Sequence, residues 1–281
     1  MSKENPKYNE IIFSKSEEEN IINMYTNQNM STVKIGKKYN CSHKKIARVL
    51  ESYDIARTGV GRRKYILNEN FFDQIDNQDK AYILGFLYAD GCNYMPKQTV
   101  SMSLQKEDFD ILEQIRLCIG NERPLEYLDY SNKHDFGYTY KNQWRLLMFS
   151  KHMCETLNNI GMTPCKSLTL GFPDIDSSLH RHFIRGYFDG DGSVALKSPI
   201  ASLTSTFNFC ETVRNILLEQ LNIYPNIQEA ANHNGITAVL QCRLNESIKF
   251  LTWIYDNANL YLKRKYDRFN NYILKVNTHI A

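Results

Sequence analysis

The chain has 281 residues, 42% hydrophobic and 23% charged, a length and balance that suit two compact domains, or one duplicated domain plus a small extra one, each with its own core. No apolar run reaches the length of a membrane span, and an N-terminal stretch containing Glu17, Glu18 and Glu19 is unlike a secretory or organellar targeting segment, so a cytoplasmic protein without a membrane partner is expected. The net charge of +3 conceals a polarised chain: residues 31–65 carry +8, residues 263–281 carry +4 and the intervening 66–262 carry −7, which suggests a basic block that attracts a polyanion. The seven cysteines, Cys41, Cys92, Cys118, Cys154, Cys165, Cys210 and Cys242, never fall in a Cys-x-x-Cys spacing, and no His-x-x-x-His pair occurs. They read as reduced thiols packed like small apolar residues, not as a zinc or redox centre.

In chain order, residues 16–26 begin with a serine cap and acidic first-turn residues, which predicts a helix. Further helices are expected over 31–39 and 42–52, joined by the turn Asn40-Cys41, with Val33, Ile35, Ile46, Val49 and Leu50 closing a small core. His43, Lys44, Lys45 and Arg48 then share one exposed side of the third helix, because residues three and four apart lie on one face. The pattern resembles a helix-turn-helix, whose second helix enters the DNA major groove. Residues 58–64, with two glycines and the cations Arg62, Arg63 and Lys64, read as a flexible basic linker able to follow a phosphate backbone.

After Asp79 one order of elements runs twice. In the first half a helix ends at Asp90-Gly91, strands follow over 92–94 and 98–105, a helix over 108–119, strands over 125–130 and 143–149, and a helix over 151–160. The second half repeats this with a helix ending at Asp191-Gly192, strands over 193–197 and 200–206, a helix over 209–221, strands over 226–231 and 236–243, and a helix over 246–257. The connecting residues 161–176 contain Pro164 and Pro173, which suits a linker.

The two motif helices carry the chemistry. Residues 83–91 (Ile-Leu-Gly-Phe-Leu-Tyr-Ala-Asp-Gly) and 184–192 (Ile-Arg-Gly-Tyr-Phe-Asp-Gly-Asp-Gly) each place a glycine mid-helix and an aspartate at the end, 101 residues apart. A mid-helix glycine costs roughly 1 kcal/mol relative to alanine. Close approach of two helices offsets that cost, with Ala89 and Gly190 continuing the small-residue face one turn on. Parallel packing then sets Asp90 beside Asp191, where the helix dipoles and mutual repulsion disfavour both charges. A hard divalent cation relieves both penalties, and Mg²⁺ fits an oxygen-only site completed by water and substrate phosphate.

With both motifs in this context, residues 79–275 resemble the LAGLIDADG homing endonuclease family in its single-chain, two-motif form. The resemblance implies an α+β fold, a pseudo-twofold duplicated αββαββα whose sheets form a saddle over DNA, here preceded by a small all-α helix-turn-helix domain. The implied division is 1–64, 65–170 and 171–281. It also implies site-specific double-strand cleavage across the minor groove of a long, asymmetric target, leaving short 3′ overhangs, with Mg²⁺ as cofactor and Mn²⁺ as a substitute. A monomer of bacterial or phage origin is expected.

By the family pattern Asp90 and Asp191 bind metal, assisted by the carbonyls of Ala89 and Gly190. Gln105 is expected near the attacking water, with Thr206 or Ser205 as its second-half counterpart. Lys151 is expected to stabilise phosphate charge, where the second half has Asn245 and nearby Arg243. Exposed strand positions expected to face DNA are Asn93, Lys97, Gln98, Thr99, Ser101, Ser103 and Arg145, then Lys197, Ser202, Gln241 and Arg243. Two alternatives stay open: a DNA-binding regulator of the same fold that has lost catalysis, and an RNA-binding intron maturase. An intein origin is not expected, since the chain begins at Met1 and ends His279-Ile280-Ala281 without splice-junction residues.

Overall fold

In the computed structural model of the protein, which describes residues 12–28, 30–55, 65–131, 134–135, 138–164, 166–195, 200–232 and 235–278, a serine stands before each of the first three helices. Ser14 and Glu17 form a reciprocal capping box at the start of α1 (Lys15–Thr26). Ser31 accepts from the Lys34 amide at 2.9 Å to open α2 (Thr32–Lys38), and α3 (His43–Ser52) follows Ser42. Ile21, Met24, Tyr25, Ile35, Ile46, Val49 and Leu50 form the core of this unit, Met1–Ile66. Val33, expected in that core, is 51% exposed; Ile35 and residues of α1 close it instead.

The second unit, Leu67–Ala281, holds the duplication. Its first half runs α4 (Gln78–Asp90), β1 (Gly91–Tyr94), β2 (Thr99–Gln105), α5 (Phe109–Cys118), β3 (Glu126–Leu128), a short hairpin of β4 (His134–Asp135) and β5 (Tyr138–Thr139), β6 (Gln143–Phe149) and α6 (Lys151–Ile160). The second half runs α7 (His180–Asp191), β7 (Gly192–Val194), β8 (Ile200–Ser205), α8 (Phe207–Leu221), β9 (Asn226–Asn232), β10 (Gly235–Arg243) and α9 (Asn245–Tyr255), and a further helix, α10 (Lys263–Thr278), ends it. The sequence reading did not assign α10 or the β4–β5 hairpin.

Both four-stranded sheets are antiparallel with the same spatial order, β1-β2-β6-β3 and β7-β8-β10-β9. The alternation read in β2 holds: Val100, Met102 and Leu104 are buried and pair with Met148, Leu146 and Trp144 of β6. In the second half Ala201 and Leu203 of β8 meet Cys242 and Leu240 of β10. One continuous core joins the two halves through α4 and α7.

Those helices pack backbone to backbone. Asn77 caps α4 by accepting from the Asp79 and Lys80 amides at 3.1 and 3.0 Å, and the helix is buried on every side from Ala81 to Tyr88. A Cβ on Gly85 would overlap the carbonyl of Phe183 and lie 2.9 Å from the Tyr187 amide. A Cβ on Gly186 would overlap the carbonyl of Tyr82 and lie 2.9 Å from the Phe86 amide. This reciprocity is that of two parallel helices related by a pseudo-twofold, and it accounts for the glycine in each motif.

Candidate active site and nucleic-acid face

Where the two helices end, the motif carboxylates meet. The Asp90 carboxylate lies 3.1 Å from where a Cβ of Gly190 would sit, so the first half's aspartate rests against the second half's motif. Both aspartates reach solvent. Asp90 is pushed up to about 6, first by burial and then by the charge of Asp191, against the pull of Lys265, Lys166 and Arg264. Asp191 is raised as well, by burial, with Lys166 and Lys265 opposing.

The two lysines are the part of the site that sequence reasoning missed. Lys166, in a 3₁₀ turn over residues 166–168, donates its ammonium to the carbonyls of Gly91 at 2.7 Å and Ala89 at 3.3 Å. Lys265, in the first turn of α10, donates to Phe188 at 2.7 Å, Asp189 at 2.8 Å and Gly190 at 3.1 Å. Each lysine thus caps the motif helix of its own half, giving orphaned carbonyls a donor and setting a cation at the negative end of the dipole. Both are buried. Burial lowers Lys166, and it lowers Lys265 to about 8 with Asp189 the strongest opposing charge. A usable signal was present, since each lysine follows its motif aspartate by a similar interval within the repeat.

Asp189 is wholly buried. Its carboxylate accepts from the Tyr255 hydroxyl and the Leu262 amide, each at 2.7 Å, and from the Tyr82 hydroxyl at 2.9 Å. Arg185 lies beside it, donating to the Leu260 and Ile254 carbonyls at 2.9 and 3.0 Å with its guanidinium over the Tyr82 ring. The first half has Tyr88 in place of Asp189, and its hydroxyl donates to the Ile160 carbonyl at 2.7 Å.

Lys151 is not among the groups acting on either motif carboxylate. It opens α6 on the surface and pairs with Glu155 at 3.4 Å. Gln105 ends β2 exposed and accepts from Lys141 at 3.4 Å. Of its two proposed counterparts, Thr206 caps α8 and donates to the Leu170 carbonyl, whereas Ser205 lines a cavity of about 230 Å³ with Asp191, Lys166, Tyr187 and Tyr88.

The strand register sorts the expected DNA-facing residues. Ser101 and Ser103 lie on the sheet face away from Val100 and Met102, with Arg145, which pairs with Glu126 at 2.8 Å. Ser202, Gln241 and Arg243 share the corresponding face of the second sheet, where Arg243 donates to Gln241 at 2.7 Å. Lys97 is exposed, its ammonium 5.7 Å from the Tyr94 ring, and Gln98 holds a left-handed turn. Two expectations of exposure fail. Asn93 pairs with Val100 and points into the core, donating to the Cys154 and Met162 carbonyls at 2.9 and 3.1 Å; the register puts Cys92 and Tyr94 on the open face instead. Thr99 is 8% exposed, its hydroxyl turned to the Lys97 carbonyl. His43, Lys44 and Arg48 are exposed along α3, and Lys45 is half-buried over the Phe13 ring. Lys197, Arg62, Arg63 and Lys64 lie outside the described residues.

The donor set at the helix ends consists of hard oxygens: two carboxylates and the carbonyls of Ala89 and Gly190. Among the described residues no group of three or more His, Cys, Asp or Glu side chains is placed to hold a metal. Two carboxylates fit a cation that takes its other ligands from water and phosphate, and do not make a closed protein cage. Among the described cysteines Cys154, Cys210 and Cys242 are buried as expected, while Cys92 and Cys118 are exposed. Among the described residues no helix is long and apolar enough to cross a membrane.

A family model described as a LAGLIDADG-like domain matches residues 178–255. The DNA-directed RNA polymerase subunit Rpo1C of Methanocaldococcus jannaschii is 29% identical over 147 residues, which are 52% of this chain and 16% of that relative. Among solved structures, the homing endonuclease I-WcaI bound to its DNA recognition sequence has a TM-score of 0.48 and 14% identity, covering 70% of this chain and 91% of that one. Full-length DUF199/WhiA from "Thermatoga maritima" has a TM-score of 0.45 and 16% identity, covering 76% and 71%. I-DmoI in complex with DNA and Mn has 0.43 and 17%, covering 64% and 97%. The residues that match the LAGLIDADG-like family model, 178–255, hold α7 with its motif and the second four-stranded sheet of this α+β fold.

Proposed function

We propose that the protein is a site-specific double-strand DNA endonuclease, acting as a monomer on a long asymmetric site and leaving short 3′ overhangs, with Mg²⁺ as cofactor and Mn²⁺ as substitute. The observation that carries this reading is the meeting of Asp90 and Asp191, one from each half of a duplicated domain, at the end of two glycine-packed helices. A divalent cation bound there supplies Lewis acidity toward a phosphodiester and an activated water. The chain's own residues do the rest. Asp90 and Asp191 hold the cation on rigid helix ends, Lys166 and Lys265 add fixed positive charge beside the developing phosphate charge, and the cavity flanked by Asp191, Ser205 and Tyr187 has room for ordered water.

Ser101, Ser103, Arg145, Ser202, Gln241 and Arg243 present polar groups on the uncovered sheet faces, a chemistry suited to base edges and phosphates. The basic face of α3, with His43, Lys44 and Arg48, supports a helix-turn-helix role for residues 1–64 that adds affinity or extends the site. The second reading, a DNA-binding regulator without catalysis, is favoured by one feature: two ammoniums already offset the two carboxylates.

The test is incubation with a plasmid library carrying the gene's own locus, in Mg²⁺ and in EDTA, followed by mapping of the ends. Cleavage at one site in Mg²⁺ alone, abolished in Asp90→Asn and Asp191→Asn, is the expected outcome. Binding without cleavage would establish the regulator, and cleavage that survives both substitutions would remove the aspartates from the active site.

A further inference from the structure

We propose that Lys166 and Lys265 are built-in counter-cations of the Asp90–Asp191 pair, so that the free protein excludes a divalent cation from this site and admits one only together with nucleic-acid phosphate. The inference rests on the metal site proposed above and adds how that site is regulated.

Neither ammonium is a mobile surface charge. Lys265 is 3% exposed, and an ammonium has three protons, which here match three carbonyl acceptors at the end of α7. Moving it away would take this donor from the Asp189 and Gly190 carbonyls, while the Phe188 carbonyl keeps the Gly192 amide. Lys166, 9% exposed, is held by the carbonyls of Gly91 and Ala89. Both lysines act electrostatically on both motif carboxylates. Two carboxylates facing two fixed ammoniums make a formally neutral site, and a dication entering it meets like charge close by. The carbonyls of Ala89 and Gly190, which would otherwise be open to a cation, each already accept from a lysine.

A phosphodiester brings the missing negative charge and further oxygens, which suits an ion that prefers phosphate and water to an all-protein cage. The coupling is reciprocal: the factor by which DNA raises cation affinity is the factor by which the cation raises DNA affinity.

The experiment uses the full chain without DNA and Mn²⁺ alone as probe, reading free Mn²⁺ by its paramagnetic resonance signal. Wild type is expected to bind no Mn²⁺ at concentrations where Lys166→Met or Lys265→Met, each lacking one charge, binds one ion, a gain of about tenfold or more in affinity. Lys265→Arg keeps the charge and is expected to show no gain. Adding Asp90→Asn to Lys166→Met is expected to abolish the gained site. Lys166→Met, whose ammonium serves two carbonyls and not three, carries the test if Lys265→Met does not fold. Wild type binding as tightly as the Lys→Met variants, or a gained site that survives Asp90→Asn, would overturn the proposal. Failure of the nuclease reading shows differently, as absent DNA cleavage while this Mn²⁺ pattern holds.

Discussion

At the end of each motif helix a carboxylate turned toward solvent stands near a buried ammonium, and their opposed pulls set the local proton balance. Asp90 moves from an ordinary 3.8 to about 6 because burial and Asp191 outweigh Lys265 and Lys166. The sign follows from linkage: with its folded value above its unfolded one, Asp90 binds its proton more tightly in the folded state. Its contribution to stability is complete below about 4 and is lost as pH rises through about 6. Above that window the Asp90 carboxylate is ionised. Carboxyl carbon resonances of the metal-free protein should therefore show Asp90 titrating near pH 6, and Asp191→Asn should move the midpoint down by removing the like charge. An unmoved midpoint would mean that burial alone sets the value.

At the scale of elements, the contact of α4 with α7 has no slack. Gly85→Ala would drive a methyl into the backbone carbonyl of Phe183, an atom that no rotamer change can move. Overpacking costs roughly 1–3 kcal/mol. The upper end is expected for Gly85→Ala and Gly186→Ala alike, outweighing the roughly 1 kcal/mol that alanine gains over glycine in a helix. Chemical denaturation with equal losses in both variants would report the pseudo-twofold directly. The entry to α10 depends on Asp189, which accepts from Tyr82, Tyr255 and the Leu262 amide and opposes the charge of Arg185. Asp189→Ala orphans three donors and a buried guanidinium, and a loss of about 3–5 kcal/mol is expected. Asp189→Asn should cost less, because its amide oxygen serves two donors and the Tyr255 hydroxyl can turn to accept from the amide nitrogen. Equal losses in the two variants would assign the whole effect to charge.

The same elements show what was legible in sequence. Helices and strands with strong periodicity, such as β2 and α6, lie within a residue or two of their expected positions, since local alternation and capping fix them. The glycine-to-glycine helix contact was also readable, because a conformational cost paid twice at one spacing needs a shared cause. Asn93 was misplaced because its face depends on pairing register with β2, a long-range property. Lys151 stood out in sequence because a residue at a helix start is visible locally, whereas Lys166 carried no such local signal. The path that returns residue 166 to the end of α4 runs through a linker without periodicity. Lys265 sits on a helix whose basic first turn, Lys263-Arg264-Lys265, read as part of a charged tail. Burial of one of those three cations is a tertiary fact.

Across the whole molecule the duplication is preserved in topology and broken in charge. Sheet order, glycine contact and lysine cap repeat, while Asp189, Arg185 and α10 belong to the second half alone. The N-terminal unit has an apolar core of its own, built from residues of α1, α2 and α3. A deletion of that unit is informative. Residues 67–281 should retain the unfolding midpoint of the corresponding transition in the full chain, because no core residue of the duplicated domain is lost. Their DNA affinity should fall, and so should its dependence on salt. Each phosphate contact contributes about 0.9 to the slope of log affinity against log salt. Loss of contacts from Lys44 and Arg48 should therefore lower that slope by about two. Measuring binding of the full and shortened chains to one duplex across a salt series separates the possibilities: parallel lines would show that α3 stays off the phosphate backbone, and converging lines would place it there.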